Sequence, residues 1–246
     1  MELEVIGAGR TTKVYRDGNT AIKLYLGAPP DEAHNEANRQ TFAVEAGLPV
    51  PKVFGVRERD GGVALEMEYV RGQDVIRSKM DKEERKKALE NFAALQNDVH
   101  KVDAKGQPVL SERLAWKIEH APHLEANTID ILINRLADLD SGQTCLCHGD
   151  FHPLNVLDDG KKLWIINWVD ATCGDPLADA SRTYLLFKQH ISRLAGMYLK
   201  LYCKIASADP DAVSAWLPVV AAARLCENLT GKETAFLIDI IHSGTQ

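Results

Sequence analysis

Cys147-His148-Gly149-Asp150-Phe151-His152-Pro153-Leu154-Asn155 is followed about a dozen residues later by Ile165-Ile166-Asn167-Trp168. An Asp with an Asn five residues on has the H-x-D-x-x-x-x-N spacing of a phosphoryl-transfer loop. In such a loop the carboxylate orients an acceptor hydroxyl and the amide oxygen ligates magnesium. A compact loop serves both tasks, because it aims Asp150 at the acceptor and then turns the carbonyl oxygen of Asn155 toward a phosphate-bound metal. The same residue types also make turn hydrogen bonds, so this stretch alone leaves a purely structural reading open.

Upstream segments bear on the choice. Thr20-Ala21-Ile22-Lys23 lies in a strand-like alternation, and Glu36 lies on the helix that follows. A Lys–Glu pair of this kind holds an ammonium against the α- and β-phosphates of a nucleotide. Gly7-Ala8-Gly9-Arg10-Thr11-Thr12 carries two glycines of a G-x-G-x-x-G loop. It joins two strands, which disfavours a dinucleotide-binding turn and suits a cover over phosphates. No Walker element is present.

The alternating runs at residues 3–6, 13–16 and 21–25, with Asp17-Gly18-Asn19 between the last two, predict strands and a hairpin. Residues 31–46 read as a helix stopped by Gly47 and Pro49. Strands are expected at Lys52–Arg57 and Val63–Val70, joined at Asp60-Gly61-Gly62. From Arg71-Gly72 onward the pattern turns helical. Asp81 with Glu84 forms a capping box, and Ala88, Phe92, Leu95, Val99 and Val102 share one face of the next helix. Further helices are expected at residues 111–121 and 128–138, short apolar runs at 145–147 and 163–166, and helices again after Asp175-Pro176, with breaks near Asp209-Pro210 and Gly231.

The 246 residues carry 29 basic and 35 acidic side chains, a formal net charge of −6, and are 45% hydrophobic. This is an ordinary globular composition, enough for one large domain or two lobes sharing a cleft. The longest stretch free of Asp, Glu, Lys and Arg spans residues 212–223 and contains Pro218, short of the roughly 20 residues a membrane span needs. With no secretory signal pattern at the N-terminus, a cytoplasmic location is expected. The five cysteines form no C-x-x-C pair, so they read as reduced residues and not as a metal site. The acidic balance argues against nucleic acid as a partner. The Lys79 to Lys87 cluster alternates with acids and reads as a solvated helix face.

Together these segments resemble the aminoglycoside phosphotransferase-like small-molecule kinases. The resemblance rests on His148 to Asn155, on Ile166-Asn167-Trp168 with Ala171 and Gly174-Asp175-Pro176-Leu177-Ala178-Asp179, and on Ala46-Gly47-Leu48-Pro49-Val50-Pro51. It implies an α+β, two-lobed protein-kinase-like fold: a small antiparallel N-terminal lobe with one helix and the hinge (residues 1–70), and a larger, mainly helical lobe with the catalytic loop and acceptor site (residues 71–246). It further implies ATP, with GTP as the alternative, together with Mg2+, and transfer of the γ-phosphate to a hydroxyl of a small molecule.

Carried over position by position, Lys23 resembles the phosphate-binding lysine and Glu36 its partner. Gly9 belongs to the phosphate cover. The Glu68 carbonyl and the Val70 amide resemble the hinge groups that meet adenine. Asp150 resembles the catalytic base, Asn155 and residue 167 the metal ligands. His148 and His152 read as loop braces, Asp175 and Asp179 as loop and cap residues, Met67 and Trp168 as packing. Asp170 and Glu227 are candidate acceptor contacts by acidity and chain position. The acceptor and the oligomeric state are not legible in the sequence.

The chain departs from the family at one position. Where Ile-Asp-Trp is expected it has Ile166-Asn167-Trp168, which removes a negative charge from beside a divalent cation. At an effective dielectric near ~20, a charge pair ~4 Å apart is worth roughly 4 kcal/mol. With about 1.4 kcal/mol per tenfold in rate, the loss predicts a fall of roughly two to four orders of magnitude. Asn167 is an inactivating substitution, natural or engineered, or the mark of a nucleotide-binding pseudokinase or scaffold, or else Asp170 reaches the metal in its place. A protein-directed kinase fits less well, because Trp168 to Asp179 leaves no room for an activation loop ending in A-P-E.

Overall fold

The computed structural model describes residues 4–9, 12–27, 29–59, 62–227 and 229–245. Arg10 and Thr11 of the glycine loop, and Asp60 and Gly61 of the expected turn, lie outside the described residues. The chain begins with β1 (Glu4–Ala8), β2 (Thr12–Asp17), β3 (Thr20–Tyr25), α1 (Pro30–Glu45), β4 (Val53–Arg59), β5 (Gly62–Glu68) and β6 (Gln73–Asp74). It continues through α2 (Lys82–His100), α3 (Leu110–Glu119), α4 (Ala126–Leu139) and β7 (Cys145–Cys147). A 3-10 turn (Pro153–Asn155), β8 (Val156–Asp158), β9 (Leu163–Ile165) and β10 (Thr172–Gly174) precede α5 (Pro176–His190), α6 (Ser192–Ala206), α7 (Pro210–Ala215), α8 (Leu217–Arg224) and α9 (Gly231–Gly244).

Two compact units result: residues 1–79 with 153–170, and residues 80–152 with 171–246. A division at Val70/Arg71 differs from this one for a hydrogen-bonding reason. Strand β6 pairs with β8, and β8 with β9, so the segments 71–79 and 153–170 build one small sheet within the first unit.

The main sheet of the first unit is antiparallel, ordered β1-β2-β3-β5-β4. A two-residue turn joins β2 to β3 at Asp17↔Thr20, and Gly18 supplies the positive φ, 58°, that its first central position requires. Along β3 the period of two separates the faces. Ala21 and Tyr25 join Ala33 and Ala37 of α1 and Leu65 and Met67 of β5 in one core, while Ile22 and Leu24 pack with Ala64 on the other side. Lys23 therefore shares the α1-facing side. Helix α1 buries Ala33, Glu36, Ala37, Gln40 and Ala43, a helical stripe with a carboxylate in its middle. Pro30 opens the helix, and Gly47, at φ 81°, follows its end.

The second unit is mainly helical around Leu114, Ile118, Leu132, Leu136, Leu185, Trp216, Val219, Leu237 and Ile241. The Asp81/Glu84 capping box is formed. The buried face of α2 differs from the expected one: Leu95 is only half-buried, whereas Gln96 and His100 are inside. Strand β7 pairs with β10 through Thr172↔Cys147, which sets the start of the His148–Asp150 loop on a fixed edge. No described helix is long and apolar enough to cross a membrane, and the five cysteines are free thiols.

Candidate functional site

In the first unit a hydrogen-bonded chain runs Glu36–Lys23–Asn167–Asn155. Lys23 Nζ lies 2.9 and 2.7 Å from the two Glu36 oxygens and donates to Asn167 Oδ1 at 2.8 Å. Glu36 also accepts from the Trp168 amide at 3.2 Å and from the Tyr25 hydroxyl. Lys23 is 7% exposed and Glu36 fully buried, so the two charges stand or fall together. The β8–β9 hairpin brings the two asparagines close. Val156 pairs with Ile165, and the Ile166 amide donates to the Asn155 carbonyl at 3.0 Å. Asn155 and Asn167 thus emerge at the same end of the hairpin, which is the structural content of their twelve-residue separation.

The Lys23 ammonium can only donate, so the oxygen of the Asn167 amide must face it. Nδ2 then points to Asn155 Oδ1 at 3.4 Å. This donor set fits magnesium poorly: two neutral amide oxygens, one accepting from Lys23 and the other from Asn167 itself. Among the described residues no group of three or more His, Cys, Asp or Glu could hold a metal ion.

The other expected nucleotide contacts also lie in this unit. The Gly9 amide donates to the Thr12 carbonyl at 2.8 Å, and a Cβ at Gly9 would come 2.7 Å from Thr12 Oγ1. Glu68 ends β5, its amide donating to the Lys52 carbonyl at 2.8 Å, and the Val70 carbonyl accepts from Gly72 at 3.1 Å. Asp170 ends the 153–170 segment, next to Val169, whose carbonyl accepts from Arg39.

The second unit holds Asp150. Gly149, at φ 80°, makes the bend before it, and the Gly149 amide donates to Asp179 Oδ1 at 2.7 Å. Phe151 is fully buried with its ring 4.6 Å from that of Phe92, and its carbonyl accepts from Thr183 Oγ1 at 2.8 Å. Asp150 is thereby held between two fixed neighbours. Its own amide donates to His148 Nδ1 at 3.3 Å. Its carboxylate meets Arg182 Nη2 at 3.1 Å through Oδ1 and His152 Nε2 at 3.2 Å through Oδ2. Burial pushes the Asp150 pKa up, but the His152 hydrogen bond and the Arg182 charge outweigh it, and the group stays well below the ordinary carboxylate range.

Three features of this unit were not read from the sequence. Asp179 is not a cap but a buried brace: besides Gly149 it meets Gln96 Nε2 at 3.1 Å and His100 Nε2 at 3.0 Å. Burial opposes its charge, yet the His100 and Gly149 interactions hold its pKa below the usual value. Asp175, by contrast, does cap α5, accepting from the Leu177 amide at 2.8 Å. Arg182 links Asp150 to Glu227, at 2.8 Å, and Arg224 takes the other Glu227 oxygen at 2.9 Å. The Glu227 carboxylate is therefore held between two guanidinium groups. The available signal was spacing: Asp179 and Arg182 lie three apart on α5, and Gln96 and His100 four apart on α2.

The chain belongs to the phosphotransferase enzyme family (APH), whose profile matches residues 2–216. Among curated proteins no match was found. A solved thermostable mutant of aminoglycoside phosphotransferase APH(4)-Ia, in ternary complex with AMP-PNP and hygromycin B, is 14% identical with a TM-score of 0.75, covering 99% of this chain and 93% of that one. A choline/ethanolamine kinase family protein from Mesorhizobium loti is 20% identical with a TM-score of 0.68 over 99% and 87% of the two chains. Aminoglycoside phosphotransferase APH(3'')-Id from Streptomyces rimosus is 18% identical with a TM-score of 0.68 over 90% and 92%. At such identities the likeness is one of fold, and the α+β, kinase-like architecture expected from the sequence is the one found.

Proposed function

We propose that this chain binds a purine nucleoside triphosphate through its first unit and transfers the γ-phosphate to a hydroxyl of a small molecule, at a rate held low by Asn167. The observation that carries this reading is the buried Lys23–Glu36 pair hydrogen-bonded to residue 167. It presents an oriented ammonium of the kind that phosphoryl transfer requires. Asp150 is the acceptor-orienting base: ionised in the neutral range, it accepts the hydroxyl's hydrogen bond. Gly9, Glu68 and Val70 serve the nucleotide, and Asp170 the acceptor. Glu227 acts on the acceptor side through Arg182. Because the two amide oxygens at residues 155 and 167 are already engaged, no step is assigned to Mg2+.

One of the solved structures holds AMP-PNP and hygromycin B, and another is of a choline/ethanolamine kinase family protein, which supports a hydroxyl acceptor without choosing among aminoglycosides, amino alcohols and sugars. The test is transfer of labelled γ-phosphate to such a panel by the chain and by Asn167→Asp. The variant is expected to be faster by roughly two to four orders of magnitude. Asp150→Ala in the faster background is expected to abolish transfer, and persistence of transfer would remove Asp150 from the mechanism. A second reading, a nucleotide binder without transfer, is favoured by the same Asn167. It prevails if neither the chain nor Asn167→Asp phosphorylates any acceptor while nucleotide still binds.

A further inference from the structure

Asn167 adopts φ 68°, a region that Asn and Asp enter more readily than other non-glycine residues. The backbone therefore does not choose between them, and the consequence of having Asn lies in its side chain. A carboxylate offers only acceptors, whereas an amide offers one accepting oxygen and two N–H donors. With its oxygen taken by Lys23 Nζ at 2.8 Å, the Asn167 amide points its NH2 away from Lys23, one hydrogen toward Asn155 Oδ1 at 3.4 Å. A cation arriving here meets an N–H group and two oxygens already accepting. A phosphate oxygen meets the second N–H of the Asn167 amide and the positive charge of Lys23, whose three N–H groups serve Glu36 and Asn167, so it takes the Lys23 hydrogen that Asn167 Oδ1 accepts, while the Glu36 carboxylate stays bonded to Lys23, Trp168 and Tyr25.

We infer that Asn167 has turned from a cation ligand into an anion ligand, so that this chain binds the triphosphate of a nucleotide through Lys23 and the Asn167 amide without a divalent cation. The inference rests on the reading of the first unit as a nucleotide site. An aspartate at residue 167 repels the triphosphate unless a cation intervenes, so affinity in that variant is coupled to magnesium. Such couplings are typically about 5- to 150-fold. Replacing the carboxylate by an amide removes the repulsion and the need for the cation together.

The experiment is calorimetric titration with AMP-PNP, which is not turned over, in excess EDTA and in excess Mg2+, on this chain and on Asn167→Asp. For this chain the dissociation constants in the two buffers are expected to agree within about threefold, and for Asn167→Asp to differ by at least about tenfold in favour of Mg2+. If this chain itself binds AMP-PNP only with Mg2+, or about tenfold tighter with it, the inference is overturned while the nucleotide reading stands. If AMP-PNP binds neither protein in either buffer, the nucleotide reading fails and the inference with it. Should Asn167→Asp not fold, as judged by circular dichroism, the comparison of the two buffers on this chain alone still decides.

Discussion

At residue 23 a charge is committed to a buried partner. Glu36 is fully buried, and its main compensation is the Lys23 ammonium, so Lys23→Met is expected to cost about 3–5 kcal/mol, because an uncompensated carboxylate remains inside. The Lys23→Met, Glu36→Gln double variant is expected to regain much of that loss, since the stranded charge is gone. Urea unfolding of the two single variants and the double variant measures the coupling, and strictly additive losses would disprove it. Arg182 stands in the same relation to Asp150 at the other candidate group. It helps to hold the Asp150 carboxylate ionised, so in an Asn167→Asp background Arg182→Gln is expected to shift the acid limb of the pH dependence of kcat/KM upward, with Arg182→Lys in between. An unmoved acid limb, whatever the loss in rate, would leave Arg182 a packing residue only.

At the scale of elements, what was legible is what depends on local pattern. The capping box at Asp81 and Glu84 could be read because its two residue types sit at a fixed offset before an apolar run. Asp81→Ala is expected to lower stability by about 1 kcal/mol in thermal or urea unfolding. Helix α1 was legible for the same reason, with Gly47 and Pro49 ending an unbroken run. The pairing of β6 with β8 was not legible, because strands of two and three residues carry no periodic signal and their partners lie far apart in the chain. Nor was the inside of α2. Gln96 and His100 look like solvent-facing residues until their partners on α5 and α6, Asp179, Thr183, Tyr198 and Tyr202, are known. A buried polar group is identified by tertiary partners, and one sequence shows only its own side of each contact.

At the scale of the whole chain, two buried carboxylates of the second unit tie its stability to pH. Asp150 and Asp179, both in the second unit, have pKa values held below the unfolded value of about 3.9. A carboxylate whose folded pKa is depressed contributes stability that is complete above the unfolded pKa and is lost as pH falls through the folded one. Stability from these two groups is therefore expected to be flat from pH 7 to about 5 and to fall below about 4. The fall is expected to begin where the groups are. In hydrogen exchange at successively lower pH, α2 and α5, which pack around Asp179, are expected to lose protection as the pH falls below about 4. Asp179→Asn keeps the shape and removes the titration. Its amide offers a single acceptor where the carboxylate served Gly149, Gln96 and His100, so the variant is expected to be less stable at pH 7 and less sensitive to acid. If the unaltered chain and Asp179→Asn lose protection in α2 and α5 in parallel as the pH falls, the Asp179 carboxylate is not what ties the stability of this unit to acid.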